Sequence, residues 1–229
     1  MGDQFSRSAR LMGVLAALAV LLAALAYGVT LGLGFASLAS PEQPIGNPYF
    51  TILEVLILVL APAMVVLMVA VHAWAPREYR ALGLVAVCMM VMLATETTSV
   101  HFMILTLSHH PGFDSQAGGN RVLTFKWPSV VYALDILGWD GFFALSMAFA
   151  APVFSGGGIR RAIRFGMIVS AALALFGLTG VSTGNMMLRD VGIAGYLGAF
   201  LVVDALLLIL FLRTNISAES SAATGAVRC

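Results

Sequence analysis

This chain has almost no charge: of its 229 residues only 10% are Asp, Glu, Lys or Arg, while 60% are hydrophobic and the mean hydropathy is +0.98. A soluble domain needs far more charge to cover its surface, so a water-soluble globule is excluded. The net charge of +1 offers no basic field for nucleic acid. Cysteine is nearly absent too. Cys88 and Cys229 have neither metal nor redox spacing, and no disulfide between them is expected. An H-E-x-x-H helix, a P-loop, a dinucleotide fingerprint, a serine elbow and a Cys-x-x-Cys pair are all missing, so no catalytic residue can be named. Their absence argues only weakly against an enzyme, because membrane enzymes assemble sites from scattered residues.

Long apolar runs are what the chain does have. Six of them, at roughly 11–38, 49–75, 81–107, 127–154, 162–184 and 191–212, each reach the ~20 residues a bilayer-crossing helix requires. The expected architecture is therefore an all-α, polytopic six-helix bundle occupying residues 1–215 as one domain, with a disordered Ser/Ala-rich tail at 216–229. Turns separate the runs: the Pro-rich stretch 40–48, the charged Pro76–Arg80, and Ser155–Gly158. The first run exceeds the ~7–15 residues of a signal-peptide core, so an uncleaved helix is expected. With a cytoplasmic N-terminus, Arg7, Arg10, Arg77, Arg80, Arg160, Arg161, Arg164, Arg213 and Arg228 lie inside and Arg121, Lys126 and Arg189 outside. That bias follows the positive-inside rule and points to a multi-pass protein of a cell membrane, such as a bacterial inner membrane.

Within the runs sit five carboxylates, Glu54, Glu96, Asp135, Asp140 and Asp204, whereas of the Lys and Arg residues only Arg164, at the start of the fifth run, falls inside them. An ionised acid in hydrocarbon costs about 2.5–3.5 kcal/mol even on mild insertion scales, so each must be protonated, hydrated, paired or bound to a cation. Counting about 1.5 Å per residue from the outer ends places Glu54, His101 and Asp135 some ~8–12 Å deep and Glu96, Asp140 and Asp204 about 16–20 Å deep. The deeper three are the leading candidates for one proton- or cation-binding site. At about 100° per residue, Glu96 and His101 lie ~140° apart on their helix, as do Asp135 and Asp140 on theirs, so neither pair shares a face. Asp135 and Glu54 are shallow enough for Arg121, Lys126 or Arg189 to reach, while Asp140 and Asp204 are read as too deep.

Other features carry less chemistry. His72 and His101 lie near opposite ends of their runs, so a bis-histidine haem is not expected. His109 and His110 with Asp114 read as a solvated loop, and the cluster Met89, Met90 and Met92 reads as packing, leaving no expected cofactor or metal. The hydroxyls of Thr95, Thr97, Thr98 and Ser99 are expected to bond preceding carbonyls. Gly28 and Gly32, Gly180 and Gly184, and Gly195 and Gly198 read as strips for close helix approach, Pro62 as a bend, and Trp74, Trp127, Trp139, Tyr49 and Tyr79 as interface markers. The stretch Leu134–Phe143 is distinctive yet carries no functional signature.

The function expected is a small proton- or cation-coupled transporter. Its partners would be the lipid bilayer and protons, cations or a small cationic solute, with homo-oligomers allowed. A membrane enzyme with a carboxylate/His site and a non-catalytic accessory subunit are the alternatives. A topology reporter fused after Arg213 is expected to read cytoplasmic, and an external signal would overturn the assigned orientation.

Overall fold

The computed structural model describes residues 5–40, 43, 45–107, 110 and 122–214; most of the His109–Asp114 loop and the 216–229 tail lie outside the described residues. Among these residues the chain is all-helical, with six helices long and apolar enough to cross a membrane. They are α1 (Arg7–Ala36), α2 (Tyr49–Trp74), α3 (Arg80–Leu107, entered through a 3-10 turn at Arg77–Tyr79), α4 (Val130–Val153), α5 (Ile159–Thr183) and α6 (Met186–Arg213).

Local chemistry sets their ends. The Ser6 hydroxyl accepts from the Ala9 amide at 3.1 Å and the Ser129 hydroxyl from that of Tyr132 at 3.2 Å, so α1 and α4 start on side-chain caps. Gly184, in the left-handed region at φ +72°, ends α5. Asn185 then caps the next helix at once, accepting from the Met187 amide at 3.1 Å. With no loop between them, α6 begins five residues before its long apolar run, a boundary the hydropathy pattern alone places at 191.

Successive helices pack against each other, and α1 also packs on α6, so the bundle closes into a ring. The first turn of α1 reaches the last turn of α6: Arg10 donates to the carbonyls of Phe211 at 2.8 Å and Leu212 at 2.7 Å. A cation there satisfies carbonyls that the helix end leaves open and complements its dipole. The same contact puts the start of α1 and the end of α6 at one end of the bundle. Met64, Leu67, Met90, Phe143, Met167 and Phe211 are fully buried in the shared core. Outward faces are apolar instead of polar, with Leu22 66%, Val29 63% and Phe165 67% exposed, a surface compatible with a hydrocarbon surround. The most apolar window of α4 is 61% buried against 28% for α1 and α3, which makes α4 the most enclosed helix.

Two helices are not regular. Leu137–Phe142 of α4 and Ala194–Ala199 of α6 form π turns, closed by the i→i+5 bonds Phe143 amide to Gly138 carbonyl and Phe200 amide to Gly195 carbonyl. The two turns meet where Trp139 packs against Tyr196, the rings tilted by 39° and their centroids 5.1 Å apart. Trp139 is thus a buried core residue, not an interface marker; its indole donates to the Thr97 hydroxyl at 3.3 Å.

The glycine strips need partial correction. A Cβ on Gly28, Gly32, Gly184 or Gly198 would meet nothing within 4 Å, so those positions allow no close approach. Gly180 and Gly195 do: a Cβ on Gly195 would lie 2.8 Å from the Ser170 carbonyl oxygen and 2.9 Å from the Ala174 amide nitrogen, both rigid backbone atoms. Periodicity identifies small residues but not the face that meets a neighbour. Gly195→Ala is therefore expected to cost about 1–3 kcal/mol by overpacking, while Gly28→Ala stays within about 0.5 kcal/mol, as read by thermal melts in detergent.

Candidate functional site

The polar residues of α2, α3, α4 and α6 converge on one buried chain of contacts. His101 of α3 is its hub. Its Nδ1 lies 2.8 Å from Glu54 Oε2 on α2, and its Nε2 lies 3.4 Å from Asp135 Oδ1 on α4. The other oxygen of Asp135 accepts from the Arg189 guanidinium of α6 at 3.2 Å, and Arg189 Nε lies 3.8 Å from Asp140 Oδ2. All five side chains are buried. Glu54, His101 and Asp135, grouped by depth in the sequence, thus meet as direct partners.

Arg189 departs most from expectation. The short Gly184–Asn185 junction draws it into α6, where its residue is 5% exposed, and it pairs with Asp135 and approaches Asp140. Hence neither the placement of Arg189 outside the helices nor the exclusion of Asp140 from its reach holds, while its expected reach to Asp135 does. Its guanidinium also lies over the Tyr132 ring, 5.0 Å from the centroid.

The π turn explains how Asp135 and Asp140 approach one cation. On a regular helix a five-residue step turns them ~140° apart, but a π turn stacks residues i and i+5, which brings the two carboxylates toward one side. Space for Asp140 is made by glycine. A Cβ on Gly192 would collide with Asp140 Oδ1, and one on Gly177 would lie 3.0 Å from the same atom. Among the described residues neither Asp140 oxygen has a hydrogen-bond donor, so Asp140 is the loosely held end of the chain.

The remaining candidates sit apart. Glu96 is partly buried, its Oε2 unpartnered and facing Gly138, where a Cβ would lie 3.1 Å away. Asp204 is fully enclosed, and both its oxygens are unpartnered among the described residues. No hydrogen bond or ion pair joins Glu96, Asp140 and Asp204 to one another among the described residues, so the structure does not assemble the expected three-acid layer as a contact cluster. On α3 the hydroxyls of Thr98 and Ser99 bond the Ala94 and Thr95 carbonyls at 2.6 and 2.7 Å. Met90 is buried while Met92 is 44% exposed, so the methionines do not converge.

Tyr27, Tyr132 and Tyr196 surround the chain of contacts: Tyr27 is within electrostatic reach of Glu54 and Asp135, and Tyr196 of Arg189 and Asp140. Hydropathy cannot single them out, since tyrosines in apolar runs are common. Among the described residues no group of three or more His, Cys, Asp or Glu side chains is placed to hold a metal ion. No family model, curated protein or solved structure matches the chain.

Chemically, a neutral imidazole can donate from one nitrogen only. With a carboxylate at each ring nitrogen, either the imidazole carries both protons or one carboxyl carries one. The trio can thus hold a mobile proton at any of three neighbouring sites. Arg189→Gln leaves Asp135 without its cation and is expected to lower stability by about 3–5 kcal/mol in unfolding measurements; a loss below about 1 kcal/mol would show that the pair is not a structural tie.

Proposed function

We propose that this is a multi-pass membrane protein with both termini cytoplasmic, in which Glu54, His101, Asp135, Arg189 and Asp140 form a proton-binding element coupled to transport of a small solute. The observation that carries the proposal is the bracketing of His101 by two buried carboxylates. Histidine suits proton exchange because it both donates and accepts near neutral pH, and ionisable groups enclosed among helices usually mark proton or ion pathways. Protons are favoured over metal cations because the Arg189 guanidinium fills the position between Asp135 and Asp140. The π turns beside the chain of contacts add support, since such turns are frequent at functional sites. The common end shared by the start of α1 and the end of α6, together with the basic-residue bias, supports the orientation.

A purely structural role for the ionic chain, as in an accessory subunit, is favoured by one fact: Glu54, His101, Asp135 and Arg189 are all directly paired. Amide variants separate the two. Asn keeps the shape of Asp140 but cannot titrate. Glu96→Gln and Asp204→Asn are expected to hold or raise the melting temperature, because among the described residues Glu96 Oε2 and both Asp204 oxygens have neither a hydrogen-bond donor nor an ion pair to lose, whereas Asp140→Asn gives up the 3.8 Å approach to Arg189 and is expected to lower it. Proton uptake by the purified protein, followed in weakly buffered detergent, should at the same time differ from wild type in Asp140→Asn. Loss of several degrees in Glu96→Gln and Asp204→Asn, with unchanged proton uptake in Asp140→Asn, would refute proton handling and leave the structural role.

A further inference from the structure

At the end of the bundle away from the His101 chain, α5 begins with an open depression of about 590 Å³ lined by Gly156, Gly157, Arg161, Arg164, Phe165 and Ile168. Arg161 and Arg164 are both exposed, and neither has an ion pair or side-chain hydrogen bond among the described residues. Positions 161, 164, 165 and 168 follow the i, i+3, i+4, i+7 spacing of one helix face. Below the arginines that face turns apolar without interruption: Phe165 is 67% exposed, Ile168 47%, Leu175 43% and Phe176 49%, with Ala172 exposed between them.

The geometry points to a binding site for an anionic phospholipid, its phosphate held by Arg161 and Arg164 in the depression and an acyl chain lying along Phe165, Ile168, Ala172 and Phe176. Charge complementarity selects the headgroup, since two unpaired guanidinium groups one turn apart match phosphate oxygens and attract anionic lipid at the membrane surface. The apolar stripe selects a lipid over a free anion, because a soluble phosphate would use only the arginines. Gly156 and Gly157 contribute by having no side chains. A Cβ on Gly157 meets nothing within 4 Å and its φ is not positive, so a larger residue there leaves the fold alone while crowding the depression. This site is independent of the proton-binding element, and neither proposal needs the other.

The test uses the full chain in phosphatidylcholine nanodiscs with graded phosphatidylglycerol, counting retained phosphatidylglycerol by native mass spectrometry and following melting temperature. Wild type should retain phosphatidylglycerol over phosphatidylcholine. Arg161→Gln/Arg164→Gln should weaken that retention on the order of tenfold or more, since each arginine near an anionic headgroup contributes severalfold. Gly157→Leu should weaken it with both charges in place. The control Arg77→Gln/Arg213→Gln, which removes two other exposed arginines, should retain it. All variants should melt like wild type in pure phosphatidylcholine, which separates lost binding from lost folding. Equal loss in the control pair, unchanged retention in Arg161→Gln/Arg164→Gln, or equal protection by inorganic phosphate without anionic lipid would each overturn the site.

Discussion

The ionic chain inside this bundle depends on one buried cation. Arg189 is enclosed among helices, and a guanidinium in that position is tolerable only with carboxylates around it. Asp135 and Asp140 supply them from α4, the most enclosed helix. Asp135, committed to Arg189 through one oxygen, offers the other to His101, which in turn holds Glu54. Four helices are thus joined through a single sequence of contacts. Counted at full ionisation, with the imidazole also protonated, three acids face two cations. The surplus acid belongs to a region where an uncompensated charge is costly, and that imbalance is the physical basis for proton exchange.

The backbone is shaped to that constraint. A regular α4 would point Asp135 and Asp140 at different neighbours; the π turn at Leu137–Phe142 lets both approach Arg189. A second π turn lies opposite, and glycines at 177 and 192 leave room where Asp140 sits. Any side chain at 192 would press on the carboxylate, so the small residues and the widened turn form one arrangement. Such irregular turns are retained where they serve a site and are otherwise rare.

Much of the architecture was legible in hydropathy: the six helices follow from six apolar runs, whereas the caps at Ser6, Ser129 and Asn185 and the left-handed Gly184 that set several of their ends were not read from it. The depth count also grouped Glu54, His101 and Asp135, which prove to be bonded. Two kinds of information were hidden. Arg189 looked extramembrane because the six residues 185–190 between two apolar runs are mixed in character; the αL glycine followed directly by an Asn cap was the available signal that α6 begins sooner. The π turn had no signal at all. Facing angles computed at 100° per residue assume a regular helix, and they fail where one extra residue per turn is accommodated. For Asp204 the sequence could not show that the carboxylate would be enclosed with no partner among the described residues.

If the ionic chain is one unit, a change at one end must be felt at the other. Glu54 and Asp140 occupy those ends and share no hydrogen bond or ion pair with each other. A double-mutant cycle of Glu54→Gln and Asp140→Asn, measured by equilibrium unfolding in lipid-containing detergent, is the most direct test. Transmission through His101, Asp135 and Arg189 predicts a coupling of about 0.5–3 kcal/mol. Additivity within about 0.3 kcal/mol would contradict it, reducing the chain of contacts to separate pairs with no shared proton.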